Sequence, residues 1–527
     1  MKADARIILL AFLSLILVAG SFSRFPVSIS GLIPNADFYY MEGVYRDVFV
    51  SGIGLSGWYL QPGPGFLPDM LLFFPARFVL GDYISAIAFF QLAVLLLLVG
   101  VMTALAKSLS QDDASSFDIA LLSGLVMIVF DNLWGCSLFK FMIVPGYHEG
   151  SILLGGLLLL SSLRILKGGG VMLDYLSFFT VSLVGAISDP ILIPQFMIPV
   201  LVSFIVLSLL GLVRGRIALI ISSVTIAVVA LHQLSFNLFG YYGIFIHKPQ
   251  SFASVYLSLG YVVTEVYGFL FQSSQEYCSI AGHILALACL IVSAYRMISF
   301  YMNSVHDVRA GGDHHPAATS FFFDLTVLSS ISASIFVGLS SNLSRHRYLQ
   351  PYYVLPFFYL GIVSIKHYSR LPAGRRDLLL VLSALVSAII IVPNALSLSI
   401  TDFQTPYPDD VRCLDDFARE HGMRYAFSDY WNAKPSRFLS REGLEVNHWK
   451  RDLKPYYWLM NKRWYYGEDE QMIRPDNFII ITDRLDKDEI HAVYGRPHAK
   501  TYCGESEVYA YIDYSLTNGS YSYIGVD

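Results

Sequence analysis

The side chains of this 527-residue chain that can do acid, base or anion chemistry fall in short clusters between long apolar runs. Asp37 is followed by Phe38, Tyr39 and Tyr40. An aromatic setting that excludes water raises a carboxylate's proton affinity, which suits a general base. Asn35 and Asp37 are also both good helix N-cap types, so the same segment reads as a plain cap. Glu42 and Asp69, the latter directly after Pro68, are the next carboxylates. His148 and Glu149 lie in Pro145-Gly-Tyr-His-Glu-Gly150, where adjacent residues on a turn can face one cavity. Both types ligate metals or bond sugar hydroxyls, but adjacency alone is no metal-binding spacing. If a divalent metal is used, Asp37, His148 and Glu149 are its candidate ligands. Asp189, in Ser188-Asp189-Pro190, also reads as turn chemistry.

A sharper signal is Arg345-His-Arg-Tyr-Leu-Gln-Pro351. Two guanidiniums at the end of an apolar helix are costly near lipid and suit a bound phosphate, although anchoring to lipid headgroups explains them equally well. Lys248, next to His247, can assist at such a phosphate. Trp58 and Trp431 are candidate platforms for stacking a sugar.

The elements that must position these groups are membrane helices. Hydrophobic residues make up 55% of the chain and charged residues only 15%, outside the range of an ordinary soluble domain. Hydropathy gives about eleven stretches of roughly 20 residues, enough to cross a bilayer. The first, from Ile7 to Ala19, follows Lys2 and Arg6; it reads as a signal anchor, with a cleaved signal peptide as the alternative. The others run about 84–106, 117–135, 150–166, 171–188, 191–213, 217–237, 278–298, 320–340, 348–366 and 377–398. With the N-terminus inside, basic residues such as Arg6, Lys107, Lys167, Arg214, Arg216, Arg296 and Arg376 mark the inner ends. The candidate site residues then all lie at the outer ends, and the odd span count puts the C-terminus outside.

Two outer loops are long, 22–80 and 236–277. In the first, 35–47 suits a helix lying in the membrane interface. Gly57 to Gly65 is too rich in Pro and Gly for a continuous helix, and 66–80 is too short and broken to span. The chain therefore divides into a membrane domain, 1–400, and a charged, turn-rich domain, 401–527, expected to be a small soluble α/β unit outside the membrane. There Asp409 or Asp410 can cap a helix running to His421, Arg424–Phe427 and Asn477–Asp483 read as buried strands, and Glu489–Tyr494 as a short helix. Cys413 and Cys503, its only cysteines, either pair or remain two buried thiols.

The net charge of -5 includes no basic run suited to nucleic acid. No P-loop, GxGxxG, HExxH, CxxC or GxSxG element occurs, so nucleotide hydrolysis, zincin proteolysis and redox work lack support. Charges are nearly absent from the middles of the spans, which argues against an ion-coupled transporter.

Asp37 in the first outer loop, Pro68-Asp69 after an aromatic Pro-rich stretch, Tyr147-His148-Glu149, and Arg347-Tyr348 before Pro351 together resemble the GT-C class of membrane glycosyltransferases. This class includes protein mannosyltransferases and the lipid A aminoarabinose transferase. Ser428-Asp-Tyr-Trp-Asn-Ala433 is similar to a segment of bacterial members that carry an outer domain. The resemblance implies transfer of a sugar from a polyprenyl-phosphate donor to a hydroxyl of a saccharide, lipid or protein, outside the cytoplasmic membrane. It implies Asp37 as base or metal partner, and Arg345 or Arg347 on the leaving phosphate. Many such enzymes carry a second acid beside the first; here the next is Glu42, over a helical turn away, which leaves a metal requirement open. The rival readings are a flippase or exporter of lipid-linked saccharide, a polysaccharide polymerase or ligase, and a structural or assembly partner acting through its C-terminal domain.

Overall fold

The computed structural model describes residues 3–110, 113–134, 144–168, 171–238, 276–307, 315–340, 350–466 and 475–512. Long helices occupy the expected apolar stretches: Ala3–Ser23, Tyr83–Ser110, Asp113–Trp134, Glu149–Gly168, Met172–Ser188, Ile198–Leu209, Gly215–Leu238, Glu276–Asp307, His315–Ser340, Gln350–Arg370 and Ala373–Leu396. Among the described residues, seven helical segments are long and apolar enough to cross a membrane. Many large apolar side chains on these helices face outward, among them Ile7, Leu96, Leu219, Ile226 and Ile389. A soluble protein would hide them; a bilayer does not require it.

Small residues let the helices meet closely, as packing between membrane helices demands. A Cβ on Gly155 would lie 2.5 Å from the Phe196 ring, so only glycine fits at that crossing. At the end of the bundle remote from residue 149, acids are matched to bases. Arg6 reaches Asp118 at 2.5 Å, and the Tyr368 hydroxyl donates to the same carboxylate at 2.9 Å. Arg296 donates to Asp324 at 2.9 Å, where the Tyr359 hydroxyl adds a second bond of 2.8 Å. Asp324 thus lies buried within an apolar helix as half of a neutralised pair.

The long first loop differs from a helix floating in the membrane interface. It forms a short 3₁₀ turn, Ala36–Tyr39, then a helix, Tyr40–Tyr45, buried beneath the C-terminal domain. Tyr39 stacks on Phe438 of that domain at 5.7 Å, and Trp58 meets Trp464 edge-on at 5.6 Å. The helix Leu71–Leu80 is ten residues long, about 15 Å, too short to cross, and lies against Tyr83–Ser110. The second long loop lies largely outside the described residues.

From Tyr425 to Tyr511 the chain builds one five-stranded sheet: β1 Tyr425–Asp429, β2 Glu445–Trp449, β3 Phe478–Ile481, β4 Ala499–Cys503 and β5 Ser506–Tyr511, in spatial order β2-β1-β3-β5-β4. β1 is parallel to β2 and β3, while β5 runs antiparallel to β3 and β4. The first expected strand is realised two residues further on, because Ser428 and Asp429 also pair, and β2 was not foreseen. The helix Asp409–Glu420 forms and Gly422 follows it in a left-handed conformation. Its cap position is Pro408, however; Asp409 and Asp410 sit in the first turn, where they favour the positive end of the helix dipole. The cysteines resolve as a pair: Cys413 and Cys503 form a disulfide joining this helix to β4.

Candidate functional site

Asn35, not Asp37, caps the turn that carries Asp37. The Asn35 side chain accepts the Asp37 N–H at 3.0 Å and caps the turn, so the Asp37 carboxylate is not the cap. It accepts instead a short hydrogen bond from the Tyr430 hydroxyl. Tyr430 is aimed by local geometry: Asp429, the last residue of β1, caps the next helix, Tyr430–Leu439, by accepting the Trp431 N–H at 2.9 Å. Tyr430, Lys434 and Phe438, each four residues apart, then share one face of that helix, turned toward 36–45. The strand-turn-helix Ser428–Ala433 is therefore the part of the outer domain that touches Asp37.

Lys434 is fully buried and its Nζ has no hydrogen-bond partner among the described residues. It lies 5.3 Å from the centre of the Tyr430 ring. Burial lowers its pKa to about 7, against the pull of the nearby Asp37 carboxylate. His448, stacked edge-on to Tyr430 at 5.3 Å, is also buried, and neither ring nitrogen has a hydrogen-bond partner among the described residues. Burial, with Lys434 and Arg437 beside it, holds His448 well below its ordinary pKa, hence neutral. Burial and the Asp37 charge both push the Tyr430 phenol up, so it remains a donor. Sequence reading missed Tyr430, Lys434 and His448 as site residues; the available signal was the Ser428–Ala433 segment.

A second cluster lies alongside. The N–H of Gly146 donates at 3.1 Å to Asp69 and at 3.1 Å to Glu149, so the two carboxyl groups meet at one point. The Tyr147 N–H gives Glu149 a further bond of 3.0 Å. Both carboxyls are buried, and the second Asp69 oxygen has no partner among the described residues. Burial, with Asp189 close by, raises Asp69 well above the carboxylate range, to about 7. Like charges this close favour a shared proton. His148 turns to Asp189, its Nδ1 3.0 Å from each carboxylate oxygen. It holds a left-handed backbone, φ 76°, a conformation that costs a non-glycine residue energy and is retained at sites where position matters.

Three segments far apart in sequence hold this cluster. Ser188 Oγ accepts the Leu67 N–H at 2.8 Å and donates to the Leu67 carbonyl at 2.7 Å. Gln61 donates to the Gly146 carbonyl at 2.9 Å, and Gln350 to that of Tyr147 at 2.7 Å. A Cβ on Gly63 would come within 2.8 Å of an Asp189 oxygen, which explains a glycine there. Tyr40 links the clusters, donating to the Pro64 carbonyl at 3.2 Å.

Several expected site residues take other roles. Glu42 is fully buried but committed: Arg46 reaches it at 2.7 Å, and Arg77 holds both oxygens at 2.8 and 2.9 Å. Three guanidinium bonds commit the buried carboxylate, so Glu42 is a structural anchor. Trp58 is buried against Tyr40 and Trp464, so it is packing rather than a stacking platform. Trp431 is exposed, with Arg484 5.9 Å from its ring. Asp37, His148 and Glu149 do not form a ligand set: the first is bonded to Tyr430, the second to Asp189, the third to backbone N–H groups. Among the described residues no group of three or more His, Cys, Asp or Glu side chains is arranged to hold a metal ion. Lys248, Arg345 and Arg347 lie outside the described residues. No protein-family model matches the chain, and no curated protein matches it in sequence.

Proposed function

We propose that this protein is a membrane glycosyltransferase of GT-C type, moving a sugar from a polyprenyl-phosphate donor to an acceptor hydroxyl. The reading takes about eleven spans, with the N-terminus in the cytoplasm and the C-terminal domain outside the cytoplasmic membrane. The disulfide between Cys413 and Cys503 supports an oxidising setting for that domain. The observation that carries the reading is Asp37: a carboxylate excused from capping, bonded to Tyr430, and faced by a buried, uncommitted lysine.

In the reaction the acceptor oxygen attacks the anomeric carbon while the bond from that carbon to the phosphate oxygen breaks. The phosphate leaves with the electron pair, and the acceptor proton passes to Asp37. Tyr430 holds the Asp37 carboxylate in place with Lys434 near it, and Arg345 and Arg347 hold the departing phosphate. His148, oriented by Asp189, and the Asp69–Glu149 pair offer both donors and acceptors to sugar hydroxyls. A lipid-linked donor needs no nucleotide site, which agrees with the missing nucleotide motifs.

The test is Asp37→Asn in the full-length protein, assayed with polyprenyl-phosphate sugar. Asparagine keeps the shape and cannot take the proton, so transfer should fall by about 10²–10⁴-fold with donor binding retained. Parental transfer by this variant would remove Asp37 from the mechanism.

A further inference from the structure

The helix that begins at Glu149 ends, about 30 Å away, at a second feature unrelated to the site above. There the end of Glu149–Gly168, the start of Met172–Ser188 and the turn before Gly215–Leu238 enclose a cavity of about 710 Å³. That volume suits a small ligand or a lipid headgroup. Its polar lining is cationic: Lys167, Arg214 and Arg216, with the Tyr175 hydroxyl. Leu166 and Ile217 are among the apolar residues that complete the wall. Asp174 is the nearby acid, next to Tyr175, and leaves the cavity with a net excess of positive charge.

Anchoring by positive charge at a membrane boundary does not by itself explain these groups. Elsewhere at this end of the bundle Arg6 and Arg296 are spent on buried aspartates. Arg214 and Arg216 make no ion pair with any described residue, and Lys167 meets only the carbonyl of Ser108. The turn that presents the arginines is fixed by Gly211 in a left-handed conformation and by the Leu212 N–H bonded at 2.9 Å to the Leu207 carbonyl. The two guanidiniums, two residues apart, are thus held on a defined corner with their donors uncommitted.

We propose that this cavity binds the phosphate of a membrane lipid, gripped by Arg214, Arg216 and Lys167, with the lipid chain lying along the apolar wall. Guanidiniums match phosphate oxygens in pairs, and the mixed cationic and apolar lining fits an amphiphile better than a free ion. The site lies at the opposite end of the helices from Asp37 and stands or falls independently of the transfer reaction.

The experiment is native mass spectrometry of the full-length protein in detergent, titrated with a short-chain phosphatidic acid. Diacylglycerol of the same chain length and inorganic phosphate serve as the other two probes. Phosphatidic acid should bind at one saturable site, and Arg214→Gln/Arg216→Gln should weaken it by about tenfold or more. Arg214→Lys/Arg216→Lys, which keeps the charge and loses the fork, should fall between the two. Lys167→Gln, a milder change, should weaken binding by roughly threefold and guards against misfolding of the double variant. Equal retention of phosphatidic acid by all variants would overturn the site. Equal retention of diacylglycerol, which lacks the phosphate, would overturn the role of the phosphate. Inorganic phosphate binding as tightly as the lipid would assign the cavity to a free anion and overturn the lipid.

Discussion

The two ends of the helical body treat buried carboxylates in opposite ways. At one end each named acid has its cation: Asp118 has Arg6, and Asp324 has Arg296, both further held by a tyrosine hydroxyl. At the other, Asp69, Glu149 and Asp189 crowd together with a single imidazole among them. Pairing neutralises charge and fixes geometry, which is what a scaffold needs. Crowding like charges opposes stability, and folds retain such arrangements mainly where chemistry needs shifted proton affinities. Glu42 sharpens the contrast, because it lies among the site residues and yet belongs with the scaffold by its two arginines.

The largest effect on stability should come from breaking that exception. Glu42→Ala leaves Arg77 and Arg46 facing a buried hole, which should destabilise the fold by about 3–5 kcal/mol and reduce membrane-inserted yield. Asp69→Asn, by contrast, should leave yield intact. Equal behaviour of the two variants in a thermal melt would erase the distinction between anchor and site.

Lys434→Met comes next. Removing a buried, unpaired ammonium should stabilise the protein by about 1–4 kcal/mol while lowering sugar transfer at least about tenfold. The pH dependence has a defined sign. Lys434 holds its proton less tightly in the fold, with a pKa of about 7, than in the unfolded chain, where it is about 10.4. Between those values the unfolded state binds more protons, so the lysine's contribution makes stability rise with pH. The variant should lose that rise; an unchanged slope above pH about 7 would count against the buried, unpaired lysine.

Asp69 supplies the smallest effect and the opposite slope. Its pKa is raised in the fold to about 7 from about 3.9 unfolded, so the folded state binds more protons in that window. Its contribution to stability is complete below about pH 4 and fades as pH rises through about 7. Melting temperatures between about pH 4.5 and 7 should fall less for Asp69→Asn than for the parent. Parallel curves would mean that Asp69 ionises freely and that the acidic cluster is not a proton-sharing site.

Much of the scaffold was legible because hydrophobic length is a local property. Runs of about 20 apolar residues must satisfy their own backbone in lipid, so the helices stand where the composition puts them. The same holds for the helix stopped by Gly422 and for the Phe478–Ile481 strand, whose apolar run leaves few alternatives. The roles of single polar residues were not local. Asn35 and Asp37 are interchangeable as caps in sequence, and only the approach of Tyr430, 393 positions away, separated them. Glu42 and Asp69 are both carboxylates in one loop, yet arginine partners at residues 46 and 77 made the first an anchor, while Gly146 and Glu149 drew the second into a cluster. The sequence by itself determined where apolar helices form, seven of them long and apolar enough to cross a membrane among the described residues, because that follows from residue type along a stretch. Tertiary structure alone decided which carboxylates are neutralised and which are not, because a charge buried in low dielectric is governed by whatever packs within a few ångströms of it.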